Sequence, residues 1–420
     1  MSSHDKAGVG VYREAVRLAV LGVALVGCYA PHVESGAPCM PDLANCPTGQ
    51  TCETTAAGSF CTADIAMPDA GGDGASQGDG PRPDAGPNCF GTGLLTECLQ
   101  QAPSGDVILA SGTIDTAMVG AANCNTIVAQ PNGPSLCLIA ADTISIPAGT
   151  IVRAQGANPL LLIGATRIDI AGELHVDSKR GGAIGAGAQT NCASGDGVNG
   201  NMGAGGGGGG GSFGTAGANG GQGENSAAGI AGGTTTPTAV RGGCAGGSGG
   251  TGDGGGGQGA GGAGGGAVYL IAGAITIEGS VDASGAGGGA GVSGVNSSGG
   301  GGGGGAGGLI AFDAPSITAT GSIFANGGGG GGGGGNNIGK VGMPGSDPTG
   351  FAAGGIGGTG GGGGGGNGGN GFGGPAQPQT GSNFSSMYCG GGGGGGGAGI
   401  IRVFQASPNA LGGSVSPAAQ

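Results

Sequence analysis

The sequence predicts an all-β chain: parallel β-helix or solenoid-like rungs with long glycine-rich excursions, preceded by a small disulfide-rich module and a disordered linker. Three observations carry that expectation. Short β-branched stretches recur with one rhythm, a glycine stands at a fixed corner in each recurrence, and side chains able to fill a large conventional core are scarce. Glycine supplies 122 of 420 residues, aromatic residues only 3 %, and tryptophan is absent. Collagen is excluded, because its axis demands glycine at every third position and no such period runs through the chain.

The recurring unit is clearest in Ile168-Asp169-Ile170-Ala171-Gly172-Glu173-Leu174, Ile275-Thr276-Ile277-Glu278-Gly279-Ser280-Val281 and Ile317-Thr318-Ala319-Thr320-Gly321-Ser322-Ile323. Each follows an apolar run: Leu161-Leu162-Ile163, Val268-Tyr269-Leu270-Ile271 and Leu309-Ile310-Ala311-Phe312. A more degenerate copy runs from Ile400 to Phe404 and resumes at Gly413-Ser414-Val415. An earlier one joins Leu136-Cys137-Leu138-Ile139 to Ile144-Ser145-Ile146, with one extra residue before Gly149. Period-two alternation of β-branched residues predicts strands with one buried face. A unit this small cannot bury that face alone, whereas stacked copies share a continuous interior. The competing arrangement is an antiparallel sandwich. Stacking predicts that Thr276 and Thr318 are neighbours although a long glycine tract separates them.

Between the rungs lie glycine-rich excursions, 181–266, 285–308 and 327–397. Glycine loses more backbone entropy on ordering than any other residue. Such tracts order only where their N–H and C=O groups find one another, as extended glycine strands packed side by side would allow.

The amino terminus carries a different signal. Arg13 and Arg17 precede the apolar run 18–26, too short to span a bilayer and suited to a signal peptide. It ends in Leu25-Val26-Gly27-Cys28, which resembles the lipobox of bacterial lipoproteins. That resemblance implies cleavage after residue 27 and lipidation of Cys28. Each buried acyl methylene contributes about 0.8 kcal/mol, so the two or three chains of a lipoprotein anchor it stably. Tyr29 stands where an aspartate would signal inner-membrane retention, so the resemblance implies an outer-membrane, surface-exposed location.

The expected organisation is a signal peptide (1–27), a tether (28–38), a Cys-rich module (39–61), a Pro/Asp/Ala/Gly linker (62–88) and a solenoid-like glycine-rich region (89–420). The module holds Cys39, Cys46, Cys52 and Cys61, the linker repeats Pro-Asp-Ala, and Cys89, Cys98, Cys124 and Cys137 are further disulfide candidates. The module is similar to short Cys-rich modules near the start of secreted myxobacterial proteins. With Cys28 set aside, eleven cysteines remain, so at least one is unpaired or pairs between chains. The excursions resemble in composition the glycine-rich PGRS regions of mycobacterial surface proteins, without the PE module, which implies surface display.

A net charge of −13 disfavours nucleic acid as a partner. The expected partners are the membrane, through the lipid anchor, surface polysaccharides and other cell-surface proteins. No cofactor, metal or catalytic residue is expected. The absence of C-x-x-C argues against zinc, scattered histidines offer no triad, and the Gly-x-Gly-x-x-Gly matches lack a flanking strand and helix. Gly249-Gly250-Thr251-Gly252-Asp253 departs from calcium-binding nonapeptides and does not repeat. The densest polar set, Arg167, Asp169, Glu173, His175, Asp177 and Lys179, alternates with Ile168, Ile170, Leu174 and Val176 and reads as a solvated strand face. The alternative is a β-helical polysaccharide lyase or hydrolase. On a regular strand, however, Glu173 and Asp177 stand about 13 Å apart, beyond the roughly 5 to 9.5 Å of paired glycosidase carboxylates.

A module of this size has no core of its own, so cross-links must hold it. Cys39, Cys46, Cys52 and Cys61 are therefore expected to be oxidised in two pairs. Thiol labelling of protein isolated without reductant checks this, and four labelled cysteines would contradict it.

Overall fold

The computed structural model describes residues 50–55, 58–63, 88–189, 192, 194–201, 203–335, 360, 364–374, 376–407 and 411–420. Cys28, Cys39 and Cys46, with the leader, the tether and nearly all of the linker, lie outside the described residues. The chain divides into two units, Met1–Pro81 and Arg82–Gln420. In the first, β1 (Gln50–Thr55) and β2 (Gly58–Ala63) pair antiparallel and set Cys52 opposite Cys61, so the hairpin runs two residues past the expected module boundary.

The second unit is all-β, with no α-helix among the described residues. It begins with the hairpin β3 (Cys89–Phe90) and β4 (Glu97–Cys98), closed by a Cys89–Cys98 disulfide. The strands that follow fall into two sheets. The long sheet contains β5 (Asp106–Ile108), β7 (Thr126–Val128), β8 (Leu136–Ile146), β10 (Leu160–Ile170), β12 (Ala267–Ile277), β14 (Leu309–Asp313), β15 (Ser316–Ala319) and β17 (Ile400–Phe404). The second contains β6 (Gly112–Asp115), β9 (Ile151–Gln155), β11 (Glu173–His175), β13 (Ser280–Asp282), β16 (Ser322–Phe324) and β18 (Ser414–Ser416). Strands stack in chain order, β5-β8-β10-β12-β14-β17 and β6-β9-β11-β13-β16-β18, and every pairing along both rows is parallel. Antiparallel pairing within them is confined to β7 against β8, so the sandwich alternative is not what forms.

Register follows the repeat. Ile144, Ile168, Ile275 and Ile317 align across four rungs, and Thr276 lies opposite Thr318. These isoleucines, with Leu174, Val281 and Ile323 of the second sheet, form a core of stacked apolar columns between the sheets. Gly172, Gly279, Gly321 and Gly413 form a column at the corner between the sheets. A Cβ on Gly279, Gly321 or Gly413 would run into the carbonyl oxygen of the corner glycine one rung earlier. Those same carbonyls of Gly172, Gly279 and Gly321 accept hydrogen bonds from Ser280, Ser322 and Ser414, so the corners are fused tightly.

The runs Leu160–Ile163, Ala267–Ile271 and Leu309–Asp313 depart from one-faced burial: both faces are covered. Behind them lies a second cluster, in which Leu161, Ile163, Tyr269 and Ile400 pack against Phe213, Val240 and the β3–β4 segment. Continuous apolar runs are the expected mark of a parallel sheet buried on both sides. Asp313 clamps the hairpin onto this face. Its buried carboxylate accepts from the Thr92 and Gly93 amides at 2.6 and 2.9 Å, from the Tyr269 hydroxyl at 2.6 Å and from Gln405. Burial alone raises the Asp313 carboxyl, but these donors outweigh it and hold it below the usual range.

The glycine excursions are ordered, and their order comes from the backbone. In segment 203–211, Gly206 and Gly209 donate to Val198 and Gly195, Gly207 and Gly210 to Gly221 and Ala218, and Gly208 and Gly211 to Gly301 and Gly304. Every third amide meets the same neighbour and none bonds within its own segment, which is the threefold geometry of polyproline II. The carbonyls of 205–209 and 211 accept from segments 389–399 and 243–252 and from Gly229. Segments 297–308 and 389–399 are enclosed in the same way. Among these central segments Gly205–Gly211, Gly299–Gly305 and Gly390–Gly397 are unbroken glycine, and all are buried. At the periphery one residue per turn faces water: Ala216, Asn219 and Gln222 on one segment, Ala227, Ile230 and Gly233 on the next.

A methyl group has nowhere to go at the centre. Cβ atoms on Gly302, Gly303 and Gly304 would strike the carbonyls of Ala260, Gly209 and Gly328, three different neighbours, whereas one on Gly233 meets nothing within 4 Å. Overpacking of a close-packed interior costs about 1–3 kcal/mol, and more where only backbone can yield. Gly302→Ala is expected to destabilise by about 3 kcal/mol or more and Gly233→Ala by less than about 0.5 kcal/mol. Thermal unfolding of the two variants checks the contrast.

Candidate functional site

Two places gather side chains with chemistry to offer. The first is on the second sheet, where β9, β11 and β13 bring Arg153, His175 and Asp282 side by side in register. Leu174 and Val176 turn inward to the core, as the alternation requires, and His175 turns outward. β11 ends at His175, and beyond it the alternation breaks: Val176, Asp177 and Ser178 are all buried. Ser178 explains part of this, since its hydroxyl donates to Gly264 at 2.6 Å and accepts from the Gly185 amide at 2.8 Å, tying the chain back under the first glycine excursion.

The expected solvated face is therefore corrected at Asp177, whose side chain is 1 % exposed. Arg167 and Asp169 form their own pair at the surface, at 3.1 Å. The other members converge. His175 Nε2 lies 2.8 Å from Glu173 Oε2 and Nδ1 lies 3.2 Å from Asp177 Oδ1, so one imidazole bridges two carboxylates that a regular strand would hold apart. Asp282, from the next rung, places Oδ2 3.9 Å from Nδ1. Arg153 and Lys179 approach Asp177 at 3.5 and 4.0 Å. A cavity of about 220 Å³ adjoins Arg153, His175, Asp177 and Lys179.

Burial sets the protonation of this group. It pushes the Asp282 carboxyl up to about 6, with the charge of Asp177 acting the same way and the Ser284 amide and His175 opposing. Burial pulls the His175 imidazole down, but hydrogen bonds to Asp177 and Glu173 and the surrounding negative charge outweigh it and leave the imidazole raised. His175, Asp177 and Asp282 each offer one donor atom within 4.8 Å of the others, a set that a divalent cation could use. Arg153 and Lys179 already offset the charge on Asp177, so the cluster is balanced by the chain's own cations.

The second place is the end of the glycine bundle remote from the sheets. Segments 257–266, 297–308 and 389–399 run into β12, β14 and β17, while those after β13 and β16 run out, so the opposite turns gather at the far end. Val295 there is 79 % exposed, Met387 70 %, Val198 52 % and Tyr388 45 %. The turns are fixed to one another: Val295 donates to Gly254, Glu224 to Cys389, and the Tyr388 amide to the Glu224 carboxylate.

Of the cysteines named from sequence, Cys89–Cys98 and Cys124–Cys137 are disulfides. A third bridge, Cys192–Cys244, spans 52 residues with no spacing pattern to announce it, and Cys389 is a buried thiol. No helix among the described residues is long and apolar enough to cross a membrane. Comparison with known protein families, curated proteins and solved structures returns no match for this chain.

The pH response of the cluster has a definite sign. Asp282 has its folded pKa raised from the ordinary value near 4 to about 6, so the stability it contributes is present in acid and lost as pH rises through that interval. Raised His175 acts in the same sense at higher pH. Asp282→Asn is expected to flatten the decline in stability between pH 4 and 6, as read from urea midpoints across that range; an unchanged slope would contradict the assignment.

Proposed function

We propose that this chain is a non-catalytic lipoprotein of the outer cell surface, anchored through Cys28, with a structural or adhesive role. We further read the two stacked parallel sheets as the walls of a β-solenoid-like base that carries the glycine bundle. One observation carries the proposal. The central segments Gly205–Gly211, Gly299–Gly305 and Gly390–Gly397 carry no side chains at all, and among the described residues the bundle's exposed large apolar side chains stand largely on cross-braced turns at one end. Large apolar side chains held out in water are a feature of binding surfaces. A rigid support also reduces the entropy lost when its loops engage a partner. Surface polysaccharides and other cell-surface proteins are the candidate partners. The Leu25–Cys28 tetrapeptide supports the anchor.

A β-helical polysaccharide lyase or hydrolase is the second reading. It is favoured by the convergence of Glu173, Asp177 and Asp282 with Arg153 and Lys179 around His175. Those carboxylates are engaged with His175 and the cations beside it, and Asp177 and Asp282 are buried, which favours a role in joining β9, β11 and β13. A purified chain that releases no reducing ends or unsaturated products from acidic and neutral polysaccharides would remove the enzymatic reading.

Lipid is the attachment in this proposal. Cys28→Ala is therefore expected to shift the protein from the membrane fraction to the soluble or precursor pool and to abolish palmitate labelling. Retained labelling would overturn the anchor assignment.

A further inference from the structure

A cavity of about 270 Å³ opens where the glycine bundle meets the long sheet. Phe213 and Val240 fix this junction by packing into the cluster behind the sheet, and Ser212 and Arg241 adjoin them. Gln189, Ser194, Thr235 and the Cys192–Cys244 disulfide complete the wall. Arg241 is the only lysine or arginine between Arg180 and Lys340.

Its guanidinium is poorly matched by the fold. Among the described residues the Nε is buried without a hydrogen-bond partner, and Nη2 reaches the Cys192 sulfur at 3.9 Å. Among the described residues no carboxylate lines the cavity. Arg153, Arg167 and Lys179, by contrast, each lie within ion-pair distance of an aspartate. Arg241 lines the cavity without a carboxylate partner among the described residues, so a bound carboxylate could pair with the guanidinium there.

The rest of the wall has the opposite need. The Ser194 hydroxyl donates to Ala245 O, and Gln189 Nε2 donates to Gly187 O at 3.3 Å. Ser212 donates to Gly232 O at 2.6 Å and accepts from the Gly217 amide at 2.8 Å. The two serine protons are committed inward, so lone pairs on the serine oxygens remain for a ligand's donors, and the Gln189 amide adds an acceptor oxygen and a second N–H. A bare anion would satisfy Arg241 alone, and a neutral sugar only the oxygens; a carboxylate carried on a hydroxylated ring satisfies both. We propose that this cavity binds the carboxylate of one acidic sugar residue, a hexuronate, with Arg241 as its ionic partner. The volume lies just below the roughly 300–1,000 Å³ of ordinary ligand sites, so it takes a single ring. The net charge of −13 resists a polyanion lying along the surface, and recognition falls on a chain end.

The proposal extends the adhesive reading by naming a ligand class. Binding to the purified chain tests it, and that readout is separate from membrane attachment, which only the Cys28 variant addresses. Calorimetric titration uses glucuronate, glucose and inorganic sulfate as probes. Glucuronate is expected to bind at least tenfold more tightly than either of the others. Arg241→Gln is expected to weaken it at least tenfold, and Arg241→Lys by an intermediate factor, because lysine keeps the charge without the planar fork. No glucuronate binding, or sulfate binding as tightly, would overturn the proposal. If Arg241→Gln fails to fold, phenylglyoxal modification of Arg241 in the unaltered chain decides: glucuronate should slow it at least threefold where glucose does not, and equal rates would sink the idea.

Discussion

Hydrogen bonding between the backbones of neighbouring glycine segments is the constraint on which the rest of this structure depends. A glycine tract surrenders more conformational entropy on ordering than any other sequence. The return is that segments without side chains approach closely enough for every amide of a surrounded segment such as Gly299–Gly305 to find a carbonyl on another segment. Gly206, Gly207 and Gly208 show the logic in three consecutive residues, each donating to a different neighbour. Where a segment is surrounded, as in Gly299–Gly305, nothing but glycine fits; where one side faces water, one residue in three is released from that requirement. The composition that denies this chain an ordinary core is thus the condition for the core it has.

The sheets and the bundle are solutions to one topological problem. Each excursion leaves the end of one strand and returns to the start of a strand on the next rung, so the parallel order of β10, β12, β14 and β17 is kept across insertions of very different length. Loop closure costs only logarithmically more as the insertion grows, and here the insertion bonds to its counterparts. The corner glycines complete the arrangement, since the approach of one rung to the next at Gly172, Gly279 and Gly321 leaves no room for a Cβ.

Much of this was legible in the sequence. The repeat placed Ile168, Ile275 and Ile317 in register and set Thr276 opposite Thr318, because apolar spacing and a fixed corner survive the loss of sequence identity between copies. Alternation misled where the second face was also covered: Leu161 and Ile163 meet Phe213 and Val240, residues remote in sequence and invisible to a local pattern. It misled again at Asp177, whose burial follows from the anchoring of Ser178 beneath Gly264. Asp282 could not be added to the His175 cluster without the rung alignment, although that alignment was available once Leu174 was matched to Val281. The threefold code of the glycine tracts lay in plain view, as unbroken runs beside stretches carrying one non-glycine in three. It has meaning only when the number of neighbours around each segment is known. Arg241 offered a faint signal, a solitary cation in a long stretch without another, but nothing local tells a pocket from a surface.

The three-residue period also governs how such a chain can change length. Adding or removing three residues in a glycine arm preserves the phase of its donors, and the outward position stays outward. Adding one or two turns the arm by a third or two thirds of a revolution, aims Asn219 or Gln222 at a neighbouring backbone, and breaks the match along the whole remaining arm. Lineages carrying this architecture should therefore drift in length by triplets of residues within the arms. Their far-end turns, free of that phase, can vary one residue at a time.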